Sequence, residues 1–162
     1  MSLSQPLAFD WSAMPGRPCS VAAALQLLGE KWALLAIREI SYGNRRFGEI
    51  ARNTGAPRDR LSARLRGLEE AGIVERRRYL ERPERFEYWL TESGRDLTPV
   101  LHSLLRWGDK WLAEDPPVTF VHECGHELDV VTVCRHCGEE AARQDVTLKV
   151  NAPGWTRSGP AE

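Results

Sequence analysis

The stretch from Pro57 to Gly72, "PRDRLSARLRGLEEAG", constrains this chain more than any other. Leu61, Leu65 and Leu68 recur at helical spacing and so fall on one face of a helix. Proline is tolerated in a first helical turn, where its missing N–H has no partner to lose. Glycine is the residue favoured just past a helix end. Stepping about 100° per residue from Leu61 places Asp59, Arg60, Ser62, Ala63 and Arg66 on the opposite arc, flanked by Arg58 and Arg64. That face is polar and carries no bulky apolar group. Its neighbours in the sequence decide what it is for.

Immediately upstream, "RRFGEIARNTG" predicts a short helix with Phe47, Ile50 and Ala51 turned inward and Gly55 as the break. A short helix, a tight turn and a second helix is the arrangement that carries a recognition helix into the DNA major groove. Immediately downstream, "IVERRRYL" and "RFEYWLT" flank the proline turn "ERPE" and predict a β-hairpin, the wing. Ser20 is positioned to cap a first helix reaching Gly29. A second helix, about Glu30 to Tyr42, has Trp32, Leu34, Leu35, Ile37 and Ile40 nearly all round and reads as buried. Thr91-Glu92-Ser93 opens a long helix whose Leu97, Leu101, Leu104, Gly108 and Trp111 form a stripe, widened by Val100, Leu105 and Leu112. From Val118 the texture changes to short β-prone runs separated by Cys-Gly turns. The expected fold is mainly α with a β-hairpin wing (winged helix-turn-helix), plus a small β-rich C-terminal appendage. Its parts are an N-terminal arm at 1–17, the winged domain at 18–116 and the extension at 117–162.

Charge distribution supports a polyanionic partner. The chain has a net charge of −1, yet residues 41–90 hold twelve Arg, no Lys and eight acidic residues, a local +4. Arginine's planar fork suits phosphate and base edges better than lysine's point charge does. Arg can donate twice to guanine, Ser serves either sense, and Asp accepts from cytosine. Ser62 and Arg66 are therefore expected to read bases in double-stranded DNA. The wing adds Arg76, Arg77, Arg78, Arg82 and Arg85, of which Arg82 and Arg85 are expected on phosphate or in the minor groove.

Other classes find no support. No apolar run approaches the eighteen residues of a membrane span, and the N-terminus lacks the pattern of a secretory signal, which places the chain in the cytoplasm. There is no nucleophile elbow, phosphate-binding glycine loop, HExxH motif or convincing carboxylate pair, so an enzyme is not expected.

The blocks "LGEKWALLAIREI", "RRFGEIAR", "LSARLRGLEEAGIVERR", "FEYWLTESGRDLTPVL" and "WGDKWL" resemble, in order and spacing, the HxlR-type winged helix-turn-helix transcriptional regulators. The resemblance runs from about Cys19 to Leu112. It implies a homodimer joined through the first and the long C-terminal helices, acting on a two-fold symmetric operator, more often as a repressor. It also makes Cys19 a redox-sensor candidate, because some members sense oxidants with a cysteine there. A helix N-terminus lowers a thiol's pKa. Ser20 replaces the proline that often follows that cysteine. A small-molecule or redox effector is the signal such a regulator would answer.

The tail, "HECGHELDVVTVCRHCGEE", holds the other three cysteines. Cys134-x-x-Cys137-Gly has the spacing of a zinc knuckle, and His122-x-Cys124-Gly resembles a second, irregular one. Cys124, Cys134, Cys137 and His122, with His126 as the alternative fourth ligand, could close one structural Zn2+ site per chain. The competing readings are turn-forming Cys-Gly pairs without metal, or a Cys134–Cys137 redox couple. A thiol redox or metal-binding protein built on Cys134/Cys137 is accordingly the alternative function.

Overall fold

Helix α2 (Lys31–Ser41) is the element around which the first part of the chain packs. In the computed structural model, which describes Leu7 and residues 9–161, its Ala33, Ala36, Ile37 and Ile40 are buried. Against them lie Ile50 of α3 (Phe47–Thr54) and Leu61, Leu65 and Leu68 of α4 (Arg58–Glu70), all at most 2% exposed. Each such side chain contributes on the order of 1.5–3 kcal/mol when withdrawn from water. The expected ring of apolar residues on α2 is uneven: Trp32, Leu34 and Leu35 are only half-buried, and the small residues Ala33 and Ala36 take the closest contacts. Helix α1 (Ser20–Leu28) precedes it. Its N-cap is Cys19 rather than Ser20, which is the first helical residue. Of the expected arm, residues 1–6 and 8 lie outside the described residues, and Trp11–Ala13 form a single 3-10 turn.

The end of α4 explains how the wing is aimed. Gly72, at φ +71°, reverses the chain. Its N–H donates to Glu69 O (3.0 Å), and the Ile73 N–H donates to Leu68 O (2.9 Å). This paired closure satisfies two carbonyls that a helix end otherwise leaves open, and it buries Ile73 beside Leu68. Strand β1 (Val74–Glu81) follows directly and pairs antiparallel with β2 (Glu84–Leu90), from Val74 opposite Leu90 to Glu81 opposite Glu84. A register shift between Arg78 and Leu80 bulges the outer half. Arg82-Pro83, joined by a cis peptide, forms the tip. At the root, Thr91 Oγ1 donates to Gly72 O (2.7 Å) and Ser93 Oγ donates to the same carbonyl (2.9 Å). Gly94 fits against this root because a Cβ there would stand 2.2 Å from Ile73 O.

The long helix expected from Thr91 is broken. Helix α5 covers Glu92–Arg95, Asp96 and Leu97 form a turn, and α6 runs Thr98–Leu112. Pro99 is the physical reason, since it has no N–H to continue the ladder from α5. The chain divides into two compact units, one ending at Thr98 and the other beginning at Pro99. In the second unit the β-prone runs pair only through isolated bridges, Val121–Glu127, Val133–Glu140 and Trp155–Pro160, not as the strands expected of a β-rich appendage. None of the described residues beyond Gly94 is buried.

One buried polar group shapes the helix-turn-helix. Glu39 of α2 is 4% exposed. Its Oε1 accepts from Arg38 Nε (3.1 Å) and Nη2 (2.7 Å), and its Oε2 from Asn44 Nδ2 (2.8 Å) and Asn53 Nδ2 (3.0 Å). Burial pushes this carboxyl upward, but the hydrogen bonds from Arg38, Asn53 and Asn44, with the charge of Arg38, outweigh it and hold it below the ordinary carboxylate range. Such a group adds stability above its unfolded pKa, and that stability is lost as pH falls through the folded value. Glu39→Gln is expected to cost about 1–3 kcal/mol at neutral pH, because an amide N–H2 then faces other donors. In denaturant titrations the gap between wild type and variant should close as the pH drops below the ordinary glutamate range.

Candidate nucleic-acid interface

Every residue expected on the outer arc of α4 is exposed, Asp59, Arg60, Ser62, Ala63 and Arg66, and so is Arg58 on one flank. Arg64 on the flank is half-buried. The helix is held at both ends. Pro57 is its N-cap, Gly55 (φ +69°) turns the chain out of α3, and the closure at Gly72 ends it. Because the opposite face is locked into the core by three leucines, the polar face is presented on a rigid support. Arg58 also lies over the Phe47 ring, 5.0 Å from its centroid.

The wing arginines divide into two kinds. Arg76 pairs with Glu69 (3.7 Å), Arg77 with Glu75, and Arg78 with Glu84 (3.3 Å). Arg76 also stacks on Phe86 at 4.2 Å. Arg82 and Arg85 stand at the tip and make no ion pair among the described residues, and the same holds for Arg60, Arg64 and Arg66 of α4. Positive potential is therefore concentrated on α4 and the wing tip, while the middle of the wing is largely neutralised.

Sequence reasoning missed Arg45 and Arg46. They lie in the turn before α3 and form a third, minimal edge of the wing. Tyr88 N–H donates to Arg45 O (2.8 Å), and Arg46 bridges to Glu87. The Arg45 guanidinium sits 3.2 Å from the Trp89 ring centroid, with Arg77 at 4.6 Å from the same ring. Arg46 pairs with Glu87 (3.4 Å) and lies over Tyr79. The readable signal was the alternation of aromatic and acidic residues in "RFEYW", which offers both kinds of partner to arginine.

The cysteines are all free and exposed. Cys19 caps α1, and the backbone N–H groups of Ala22 and Val21 favour its thiolate, holding the thiol below its ordinary value. In the tail, Cys134 and Cys137 share one turn, closed by the Gly138 N–H donating to Cys134 O (2.7 Å), and the backbone N–H groups of Cys137 and His136 hold the Cys134 thiol below its ordinary value. His122 turns back on its own loop, where Nδ1 accepts the Cys124 N–H (3.3 Å), and His126 O accepts the His122 N–H (2.9 Å). Among the described residues, no three His, Cys, Asp or Glu side chains come together to hold a metal ion. Separately, a cavity of about 250 Å³ opens between Phe9 and Trp11 on one side and Ala23 and Leu27 of α1 on the other, with Ile73 and Leu97 completing the wall. Among the described residues, no single helix is long and apolar enough to cross a membrane.

Comparison with known proteins places this architecture. Residues 27–116 match the model of the HxlR-like helix-turn-helix family. The uncharacterized HTH-type transcriptional regulator Rv3095 of Mycobacterium tuberculosis is 50% identical over 131 residues, 79% of this chain and 83% of that protein. YdeP of Bacillus subtilis, also an uncharacterized HTH-type transcriptional regulator, is 33% identical over 67% of this chain and 85% of its own length. Among solved structures, that of PA1607 superposes with a TM-score of 0.72 at 30% identity, covering 81% of this chain and 94% of that one. The redox regulator HypR in its oxidized form gives a TM-score of 0.51 at 35% identity, over 60% of this chain and 99% of that chain. The reduced form of YodB from B. subtilis gives 0.50 at 33% identity, over 59% of this chain and 95% of that one. These are transcriptional regulators and not enzymes, and helix-turn-helix proteins of this fold bind DNA and often act as dimers. The chain belongs to the HxlR-like helix-turn-helix family.

Proposed function

We propose that this regulator is a homodimer that binds a two-fold symmetric operator in double-stranded DNA and represses transcription by occupying it. The observation that carries this reading is the exposed polar face of α4, whose arginines have no ion-pair partner among the described residues, mounted on a buried leucine ridge. Arg58, Asp59, Arg60, Ser62, Ala63, Arg64 and Arg66 enter the major groove, with Ser62 and Arg66 reading bases. Arg82 and Arg85 hold phosphate or the minor groove. The dimer forms through α1 and α6, each of which leaves an apolar face uncovered. On α1 the exposed residues are Val21 and Leu25. On α6, Val100, Leu104, Trp107 and Trp111 recur at intervals of four, three and four, the spacing of a helix seam.

Two signals suit such a regulator. The apolar cavity beside α1 would admit a small apolar effector. Cys19 is the redox alternative, supported by its thiolate-favouring position and by the redox regulator HypR among the structural neighbours.

In operator titrations, Arg82→Ala should weaken all sequences alike and reduce the slope of log K against log salt by about 1. Ser62→Ala or Arg66→Ala should instead relax base preference, at about 1–3 kcal/mol per lost bidentate pair. A changed base preference in Arg82→Ala with an unchanged salt slope would exchange the two roles. Leu104→Asp should sediment as a monomer and lose tight operator binding, whereas a dimeric variant would refute this interface. For Cys19, the rate of alkylation as a function of pH should show a midpoint below that of an unperturbed thiol, and Cys19→Ser should abolish oxidant sensitivity of operator binding. Unaltered sensitivity in that variant would remove Cys19 from the signal path.

A further inference from the structure

The cavity beside α1 has walls of defined chemistry. On the helix side, Ala23, Ala24 and Leu27 face it, a spacing that keeps them on one side of α1. Val21 and Leu25, on the proposed dimer face, lie about a third of a turn away. The methyl groups of Ala23 and Ala24 leave open a space that longer side chains would fill. The opposite wall is made by Phe9 and Trp11, whose rings meet edge to face with centroids 5.1 Å apart. Ile73 and Ser93, at the root of the wing, bound the remaining side.

We infer that this cavity binds one uncharged molecule built on a single aromatic ring, an inference that rests on the effector reading and specifies its ligand. Size is the first support. The cavity measures about 250 Å³. A dry protein cavity of about 150 Å³ already binds benzene, so there is room here for one ring and a substituent of a few atoms. Charge is the second. Among the described residues that line the cavity none is charged, and Ser93 Oγ already donates to Gly72 O (2.9 Å). A carboxylate or ammonium group seated there would give up hydration without gaining a counter-charge. The aromatic wall is the third. Phe9 and Trp11, inclined at 67°, offer a ring face and a ring edge together. A third ring can pack against both in the offset or edge-on geometries that aromatic pairs prefer.

The site joins segments that are distant in the sequence. Leu7 of the arm lies over Gly72, where an added Cβ would stand 3.5 Å from Leu7 Cδ2. Ile73, the next residue, is buried. A ring seated between Trp11 and Ile73 therefore touches the arm and the wing root at once. Its binding favours the conformations in which the arm lies on α1, because only those offer both walls.

The test uses the full chain and p-cresol, which is uncharged at neutral pH, with benzoate as a charged molecule of similar size. Calorimetric titration should find one p-cresol per chain, and benzoate should bind about tenfold more weakly or worse. Ala24 is exposed, so Ala24→Phe puts a ring into the cavity without entering the core. It should weaken p-cresol by about tenfold or more and leave the thermal midpoint of the ligand-free protein close to that of wild type. Trp11→Ala removes the opposite wall and should weaken p-cresol comparably, so the result does not hang on one variant folding. Absence of saturable p-cresol binding, equal affinity for benzoate, or full affinity in both variants would each overturn the inference. So would p-cresol binding that is absent from the wild-type dimer and gained in Leu104→Asp, because a second copy would then be what covers the cavity. Operator titrations with and without p-cresol separate this inference from the effector reading. One p-cresol per chain, lost in both variants, with operator affinity unchanged would retain the site and remove its role as an effector site.

Discussion

The carboxylate of Glu39 joins three pieces of backbone whose fixed relation sets how α4 presents its polar face. It lies on the central helix, and it takes hydrogen bonds from an asparagine in the turn before α3 and from another at the end of α3. Leucine packing against α2 brings α4 into place, but apolar contacts are non-directional and would tolerate a rotation of α3. The two charge-assisted hydrogen bonds from Asn44 and Asn53 do not tolerate it, because each loses strength steeply with angle. The buried acid thus converts a hydrophobic cluster into a defined angle between helices. That angle sets how far the Arg60 and Ser62 side of α4 projects.

The surface follows a related logic. Many arginines in the central block are held by acids or by aromatic rings, whereas those on α4 and at the wing tip make no ion pair among the described residues. Exposed ion pairs add little to stability, on the order of 0–1 kcal/mol. Their effect here is to shape the field. A uniformly basic wing would attract DNA along its whole length, whereas pairing with Glu69, Glu75 and Glu84 leaves charge where the geometry can use it.

Much of this was legible in the sequence because it rests on local rules. Leucine spacing, Pro57 and Gly72 located α4, and the proline turn located the wing. The outer face of α4 followed from helical geometry and is exposed as expected. Glu39 was not legible. An acid in "LAIREIS" reads as solvent-facing, and only the two distant asparagines that meet it in space reveal its burial. The break between α5 and α6 had a visible signal in Pro99, which the strength of the leucine stripe concealed. The tail was harder, because β-prone runs predict pairing only where a partner of sufficient length is available. Its runs meet across single bridges, with no buried residue to fix a register.

The wing is fastened at its root and left free at its tip. Thr91 and Ser93 tie it to Gly72, and Arg45 and Arg46 clasp β2 near Glu87 and Tyr88, all on the inner side of the bulge at Arg78. Outside the bulge, among the described residues, the backbone hydrogen bonds of the two strands run from one strand to the other. Residues added or removed in pairs there would lengthen or shorten the ribbon while preserving which face each side chain occupies. On the proposed reading of α4 and the wing, the span of DNA contacted beyond the major groove can therefore be adjusted through the length of the outer ribbon, with the placement of α4 untouched.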